Sequence, residues 1–361
     1  MVIRAHLIFA NIFVGAKHSG SKSVVITNKL SAGMLRHCKI EIHLVISCLL
    51  PIPNSQFPIP NSQFPIPNSQ CPIPNIFKVT KTTNQKFSNY PFDGLSLDDR
   101  NPDFIQLLLP FWEFLYRYYF RVQSDGWHHV PARGKMLIVG SHNGGIATPD
   151  MFMFLYEWFR RYGTERLAYG LMHPTVWEVS ADIASMAVQC GALKAHPKMA
   201  IAALRKNAPV LIYPGGAQDV FRPHHLRDKI YFAGRKGFIK LALREEVPIV
   251  PIISTGAHDT LIVLADFYEQ AKQLHKWGMP WLLGIDPVVF PVYLGLPWGL
   301  SIGPLPNLPF PVQIRTRVCE PIVFERYGNE AARDRDYVDA CFDLVTNQMQ
   351  GELDCLVIGN G

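Results

Sequence analysis

No stretch of the sequence reaches the roughly 18 uninterrupted apolar residues that a spanning helix requires, so a conventional transmembrane segment is not evident. Paired cysteines are missing too. The seven cysteines stand at positions 38, 48, 71, 190, 319, 341 and 355, an odd count with no CxxC spacing. That scatter argues against a disulfide framework or a thiolate zinc site, and fits inert thiols in a reducing compartment. Acidic residues are nearly absent from the first 90 positions, which hold nine Lys and Arg against Glu41 alone. The other 271 residues hold 26 basic and 28 acidic side chains. The net charge of +6 therefore resides in the N-terminal quarter, and no nucleic-acid partner is expected from it.

That quarter contains a repeat. Residues 51–75 read PIPNSQF-PIPNSQF-PIPNSQC-PIPN. A seven-residue period suits a coiled coil, but two prolines per unit forbid a continuous helix, leaving extended or disordered chain. Residues 1–90 are accordingly expected to be a low-complexity, disordered, Pro-rich extension that is dispensable, or else a tether. Residues 91–361 are expected to form the functional domain.

There the texture changes to short apolar runs alternating with helical patterns. Strands are expected over 135–141, 166–171, 210–213, 248–254 and 312–319, and helices over 149–162, 197–207, 237–246 and 335–351. The alternation implies an α/β domain with a mostly parallel central sheet flanked by helices, and active sites in such sheets gather where strands end and helices begin.

Three groups of residues at such places carry chemistry. The strand over 135–141 runs into Ser141-His142-Asn143-Gly144-Gly145, and Asp150 follows at the start of the next helix. The Asp150 carboxylate either caps that helix or reaches back to the imidazole of His142, fixing its tautomer and stabilising the charged form. Tyr213-Pro214-Gly215-Gly216 follows the strand over 210–213; its glycines allow either an anion-binding turn of backbone N–H groups or an ordinary tight turn. A basic cluster runs from Arg222 through Arg227, Lys229, Arg235, Lys236, Lys240 and Arg244 against Asp228 alone. Within it, Arg235 and Lys236, between Gly234 and Gly237 at a helix entrance, are placed for phosphate contact.

In order along the chain, His142…Asp150, Cys190-Gly191-Ala192-Leu193, Tyr213-Pro214-Gly215-Gly216, Gly234-Arg235-Lys236-Gly237-Phe238 and Val247-Pro248-Ile249-Val250-Pro251 resemble the glycerolipid acyltransferase superfamily, and more narrowly its monoacylglycerol/diacylglycerol acyltransferase-like branch. The resemblance spans roughly residues 100–325. It implies an O-acyltransferase of glycerol-phosphate-acyltransferase-like fold. His142 deprotonates an acceptor hydroxyl on diacylglycerol, monoacylglycerol or a lysophospholipid, and Asp150 balances its charge. The hydroxyl attacks the thioester of acyl-CoA or acyl-carrier protein, with no cofactor and no metal. It assigns Tyr213, Pro214, Gly215, Gly216, Arg235, Lys236 and Gly237 to substrate binding and Pro251 to the pocket floor. Here seven residues separate His142 from Asp150, more than in the family's commonest form, and Asp219 stands where the branch usually has Glu.

Membrane contact is expected at two places. Over 103–121, Gln106, Pro110, Glu113, Arg117 and Arg121 form one stripe on an otherwise apolar, aromatic helix, which suits either the membrane interface or the core. From Trp277 to Ile314 the only charge is Asp286, while eight prolines rule out a span, so this segment reads as an apolar loop dipping into lipid or a lid over an acyl pocket. The expected location is membrane-associated, on the cytoplasmic face. Gly299-Leu300-Ser301-Ile302-Gly303 matches GxSxG, but Pro304 and Pro306 deny it the helix that a nucleophile elbow needs. Two other functions fit the same residues: a lipid thioesterase or hydrolase using His142 and Asp150 on water, and a non-catalytic lipid-binding protein.

Overall fold

The computed structural model describes residues 92–174, 176–177, 180–281 and 286–359. The repeat and the expected N-terminal extension lie outside the described residues.

The chain begins with α1 (Pro102–Phe114), whose first turn is closed by Asn101 accepting from the Phe104 N–H, and a π-helical turn, Leu115–Tyr119, extends it. Then come β1 (Gln123–Asp125), β2 (Leu137–Gly140), α2 (Pro149–Tyr162), β3 (Tyr169–Met172), α3 (Ala181–Gln189), β4 (Ala192–Lys194), α4 (Pro197–Arg205), β5 (Val210–Ile212) and the one-turn α5 (Gly216–Val220). After α6 (Gly237–Glu245) and β6 (Ile249–Thr255) the chain builds β7 (Ile262–Asp266), α7 (Tyr268–Lys276), β8 (Pro291–Gly295) and β9 (Gly299–Ile302). It returns through β10 (Arg315–Val318) and ends in α8 (Asn329–Arg333) and α9 (Arg335–Ile358).

Seven strands form the main sheet in the order β1-β10-β6-β2-β5-β3-β4. The run from β6 to β4 is parallel, and β10 joins it antiparallel with β1 alongside. The short apolar runs form these strands because both faces are covered. In β2, Leu137 and Val139 join the core beneath α4, α6 and α9, while Ile138 joins the one beneath α1 and α2. Val210, Ile212 and Leu211 of β5 divide in the same way. Strands buried on both sides read as continuous apolar runs, which is why the expected strands fall close to the observed ones.

The expected strand and helix positions hold apart from their ends, and α9 continues past Gly351 to Ile358. The segment from Trp277 to Ile314 is corrected. It holds β8 and β9, which pair with the earlier β7 in a second, antiparallel three-stranded sheet. The prolines do not interrupt its hydrogen bonding, because Pro291 opens β8 and Pro297, Pro304, Pro306, Pro309 and Pro311 all lie outside the strands. Ser301 sits within β9 opposite Tyr293, with no helix after it. No helix among the described residues is long and apolar enough to cross a membrane. The helix over 103–121 splits its apolar residues: Ile105 and Trp112 are buried, whereas Leu107, Phe111, Phe114 and Tyr118 are exposed, as are Gln106 and Arg117.

Leu243 of α6 is fully buried in the larger core. Truncating it leaves a void between helix and sheet, so Leu243→Ala is expected to lower stability by about 3 kcal/mol in urea unfolding.

Candidate active site

His142 leaves the C-terminal end of β2, the central strand of the seven-stranded sheet. Between it and α2 the chain must fold back sharply, and Gly144 and Gly145 do this at φ of +83° and +67°. A Cβ on Gly144 would come within 2.6 Å of Pro149 and of the Thr260 hydroxyl, so both conformation and space demand glycine. The looped-out residues thereby return Asp150 to the imidazole: His142 Nδ1 lies 3.1 Å from Asp150 Oδ2. The same oxygen accepts the Asn143 N–H at 3.1 Å. Of the two roles open to Asp150, the structure thus shows the one directed at the histidine. An aspartate oxygen already accepting an N–H takes the imidazole as a donor, which sets the Nδ1–H tautomer and leaves the Nε2 lone pair available. Asp150 is buried and the His142 side chain is 15% exposed, so the ring's free edge is reachable.

Tyr213 follows β5, the strand beside β2, and its ring stacks on the imidazole with centroids 4.2 Å apart and planes at 20°. Gly140 makes room for it, since a Cβ there would lie 2.5 Å from the Tyr213 ring. The Tyr213 hydroxyl and Asp150 Oδ1 are buried without hydrogen-bond partners. Burial, with the Asp150 and Asp219 carboxylates nearby, holds the phenol well above its ordinary value, so it stays protonated.

Pro214 and Gly215 lead into α5, where Asp219 and Arg222 form a buried ion pair at 2.8 Å. Asp219 accepts the His142 N–H and the Ser141 hydroxyl. Burial pushes its carboxyl up to about 6 against the pull of Arg222, so at neutral pH it is ionised. Arg222 donates to the His142 carbonyl at 2.8 Å and to Asn143 Oδ1 at 2.6 Å. The PGG turn is thus not a free cradle, for its helix clamps the loop that carries the histidine. Gly215 has an ordinary φ of −65°, but a Cβ there would meet the Tyr231 carbonyl at 2.2 Å.

The remaining expected residues disperse. Arg235 donates to the Gly215 carbonyl, to Pro214 O at 3.1 Å and to Gln218 Oε1 at 2.8 Å, so it braces the PGG turn. Lys236 pairs with Asp339 of α9 at 2.7 Å and lies over the Phe342 ring. Gly237 opens α6, and Pro251 is buried in β6 opposite Val139 of β2. Sequence reading passed over Ser141, Asn143, Arg222, His258 and Asn307 as site residues. Of these, only Arg222 carried a signal, its spacing of three from Asp219. Among the described residues no group of three or more His, Cys, Asp and Glu could hold a metal ion. A pocket of about 370 Å³ lined by Arg100, Tyr169 and Lys206 lies at the start of β3, the opposite sheet edge from His142.

His258 stands behind the clamp, its Nε2 2.8 Å from the Arg222 carbonyl. Burial and the Arg222 guanidinium push its imidazole down to about 3. The folded protein holds this ring neutral, whereas in the unfolded chain it takes up a proton near 6.5, so its contribution to stability is lost as pH falls below 6.5. His258→Gln keeps a donor for the carbonyl and removes this linkage. Between pH 6.5 and about 4, stability measured by urea unfolding is expected to fall less steeply in the variant, by up to about 1.4 kcal/mol per pH unit.

Residues 184–347 match the model of a family described as diacylglycerol acyltransferase. The matched stretch includes the PGG turn, Arg235 and Pro251 but begins after His142 and Asp150. An uncharacterized protein of Mycobacterium tuberculosis is 25% identical over 272 residues, 75% of this chain and 71% of that protein. A human 2-acylglycerol O-acyltransferase 3 is 30% identical over 116 residues, 31% of this chain and 32% of that one. Among solved structures, a 1-acyl-sn-glycerophosphate acyltransferase from Thermotoga maritima aligns over 69% of this chain and 79% of its own, at 12% identity and a TM-score of 0.41, a likeness too slight to argue from. Over residues 184–347 the chain is thus similar to the diacylglycerol acyltransferases, and over a shorter stretch to a 2-acylglycerol O-acyltransferase.

Proposed function

We propose that the protein moves a fatty acyl group from acyl-CoA or acyl-carrier protein to a hydroxyl of a glycerolipid, with His142 as general base. The reading rests on the His142–Asp150 contact of 3.1 Å, made by a chain that spends two left-handed glycines to bring the pair together. Nε2 of His142 takes the proton of the acceptor hydroxyl, and the hydroxyl oxygen attacks the thioester carbonyl carbon. The carbon–sulfur bond then breaks, and the leaving thiolate takes the proton back from the imidazolium. Asp150 holds the tautomer and balances the charge that His142 acquires. Diacylglycerol, monoacylglycerol and lysophospholipids are all acceptors of the right kind. The same reading locates the enzyme at the cytoplasmic face of a membrane, where both substrates meet.

The test is turnover of radiolabelled acyl-CoA by the full chain, offered a panel of these acceptors in mixed micelles. Label is expected in one acylated lipid, with His142→Ala abolishing it. Release of label as free fatty acid whether or not acceptor is present points to the hydrolase instead, and product unchanged in His142→Ala overturns the mechanism. Asp150→Asn, which disturbs the tautomer while keeping the shape, is expected to lower kcat roughly a hundredfold or more.

A further inference from the structure

The small sheet is apolar on both faces. Its inner side is ordinary core: Val263 and Tyr293 are buried with Val220, Phe221 and Leu261. Its outer side presents Leu264 from β7, Leu294 from β8, and Leu300 and Ile302 from β9, all exposed, with Leu294 paired opposite Leu300. Trp298 at the β8–β9 turn and Trp277 after α7 add two exposed indoles, Trp277 being 75% exposed. Exposed apolar side chains gathered on one sheet face mark an interaction surface.

Charge around the patch is arranged unevenly. The carboxylate of Asp266 accepts the Tyr268 and Phe290 N–H groups, and that of Asp286 accepts the Val288 N–H and the Tyr268 hydroxyl. Both acids are held by neighbouring donors outside the strands and keep their charge. Lys276, in the last turn of α7, has no acidic partner among the described residues, and neither has Arg121, which donates to the Tyr119 and Pro311 carbonyls. The four outward side chains are hydrocarbon alone and complement acyl chains, exposed indoles suit the headgroup level, and Lys276 and Arg121 remain free to meet phosphate.

The patch is also joined to the catalytic loop. The Leu261 side chain, one residue before β7, packs against Gly145 so closely that a Cβ there would lie 2.6 Å away. Asn307, on the connector that leaves β9, is buried and donates to the Gly144 carbonyl at 3.4 Å. Further along that connector, Phe310 donates its N–H to the Thr260 carbonyl at 2.9 Å.

We propose that the outer face of the β7-β8-β9 sheet docks on a phospholipid bilayer and delivers the lipid substrate to His142. The delivery rests on the acyltransferase reading above, whereas the docking is measured without any acyl donor. The probe is a vesicle of phosphatidylcholine with a minor share of phosphatidylglycerol, and the readout is flotation of the full chain. Wild type is expected to float with the vesicles and to stay bound in high salt, because apolar burial outweighs the screened cations. The triple variant Leu264→Thr, Leu300→Thr, Ile302→Thr, which keeps strand propensity at outward positions, is expected to lower the partition coefficient about tenfold or more. Trp277→Ser, outside the sheet, weakens binding in the same direction with no strand to disturb. Leu344→Gln, an exposed apolar position on α9, is expected to leave binding unchanged.

Equal flotation of wild type and triple variant overturns the proposal. So does a wild-type dimer that ignores vesicles and that the triple variant splits into monomers, which would give the face to a second copy of the chain. His142→Ala is expected to float like wild type. If it does so while turnover on the acceptor panel is absent even in wild type, the acyltransferase reading fails and the docking surface stands.

Discussion

The ion pair between Asp219 and Arg222 is the constraint on which the site depends. Removing two charges from water costs several kcal/mol per ion, and their attraction repays this only when the remaining hydrogen-bonding capacity is used. Here it is used. Arg222 donates to the carbonyls of His142, Asp219, Leu226 and Arg227, to Asn143 Oδ1 and to Asp219 itself, while Asp219 also takes the Ser141 hydroxyl and the His142 N–H. Two segments distant in sequence, 141–143 and 219–227, are thereby given a single mutual arrangement. An apolar pair of similar volume would fill the same space but fix no register, and the His142 N–H and carbonyl would both lose their partners.

The rest of the site follows from strand order. From β2 the chain winds to one flank through β3 and β4, returns to β5, and crosses to β6 on the other flank, so β2 lies where the winding reverses. Because β2 and β5 are neighbours in register through Val139 and Ile212, the residues that follow them emerge side by side. Tyr213 and His142 therefore meet face to face, and Gly140 supplies the width that the phenol ring needs. The Asp150 contact requires one more thing, a reversal tight enough to start α2 directly beneath the imidazole, and the paired glycines provide it.

Much of this was legible from residues alone where burial is two-sided or geometry is local. The parallel strands announced themselves as apolar runs, and His142, Gly144, Gly145 and Asp150 as a strand end followed by a helix start. What could not be read was direction. The run of cations from Arg222 to Arg244 looks like one basic cluster, yet Arg222 turns inward to Asp219, Arg235 to the PGG carbonyls and Lys236 to Asp339 of α9. Spacing does not distinguish a cation awaiting a phosphate from one already satisfied by carbonyls, because the choice is made by elements far away in sequence. Asn307 and His258 were invisible for the same reason: each is a lone polar residue in a segment without pattern, and its partner lies on another strand's loop.

The small sheet shows a different limit. Period-two alternation reveals a strand only when one of its faces meets water, and here neither face supplied the polar half of the pattern. With both sides apolar and proline frequent between the strands, the segment lost the signature of a sheet while keeping the composition of something meant for lipid. That loss is informative about the site. His142 stands at the C-terminal edge of the parallel strands, and under the proposed function that edge must be covered without being cut off from a lipid acceptor. A covering whose polar atoms, Asn307 and the Thr260 carbonyl, face the catalytic loop and its connector, and whose outward side chains are apolar, meets both demands in one layer. A polar outer face would serve the fold equally well, so the fold's own needs leave the apolar choice unexplained, and contact with hydrocarbon is the physical account the proposal supplies for it.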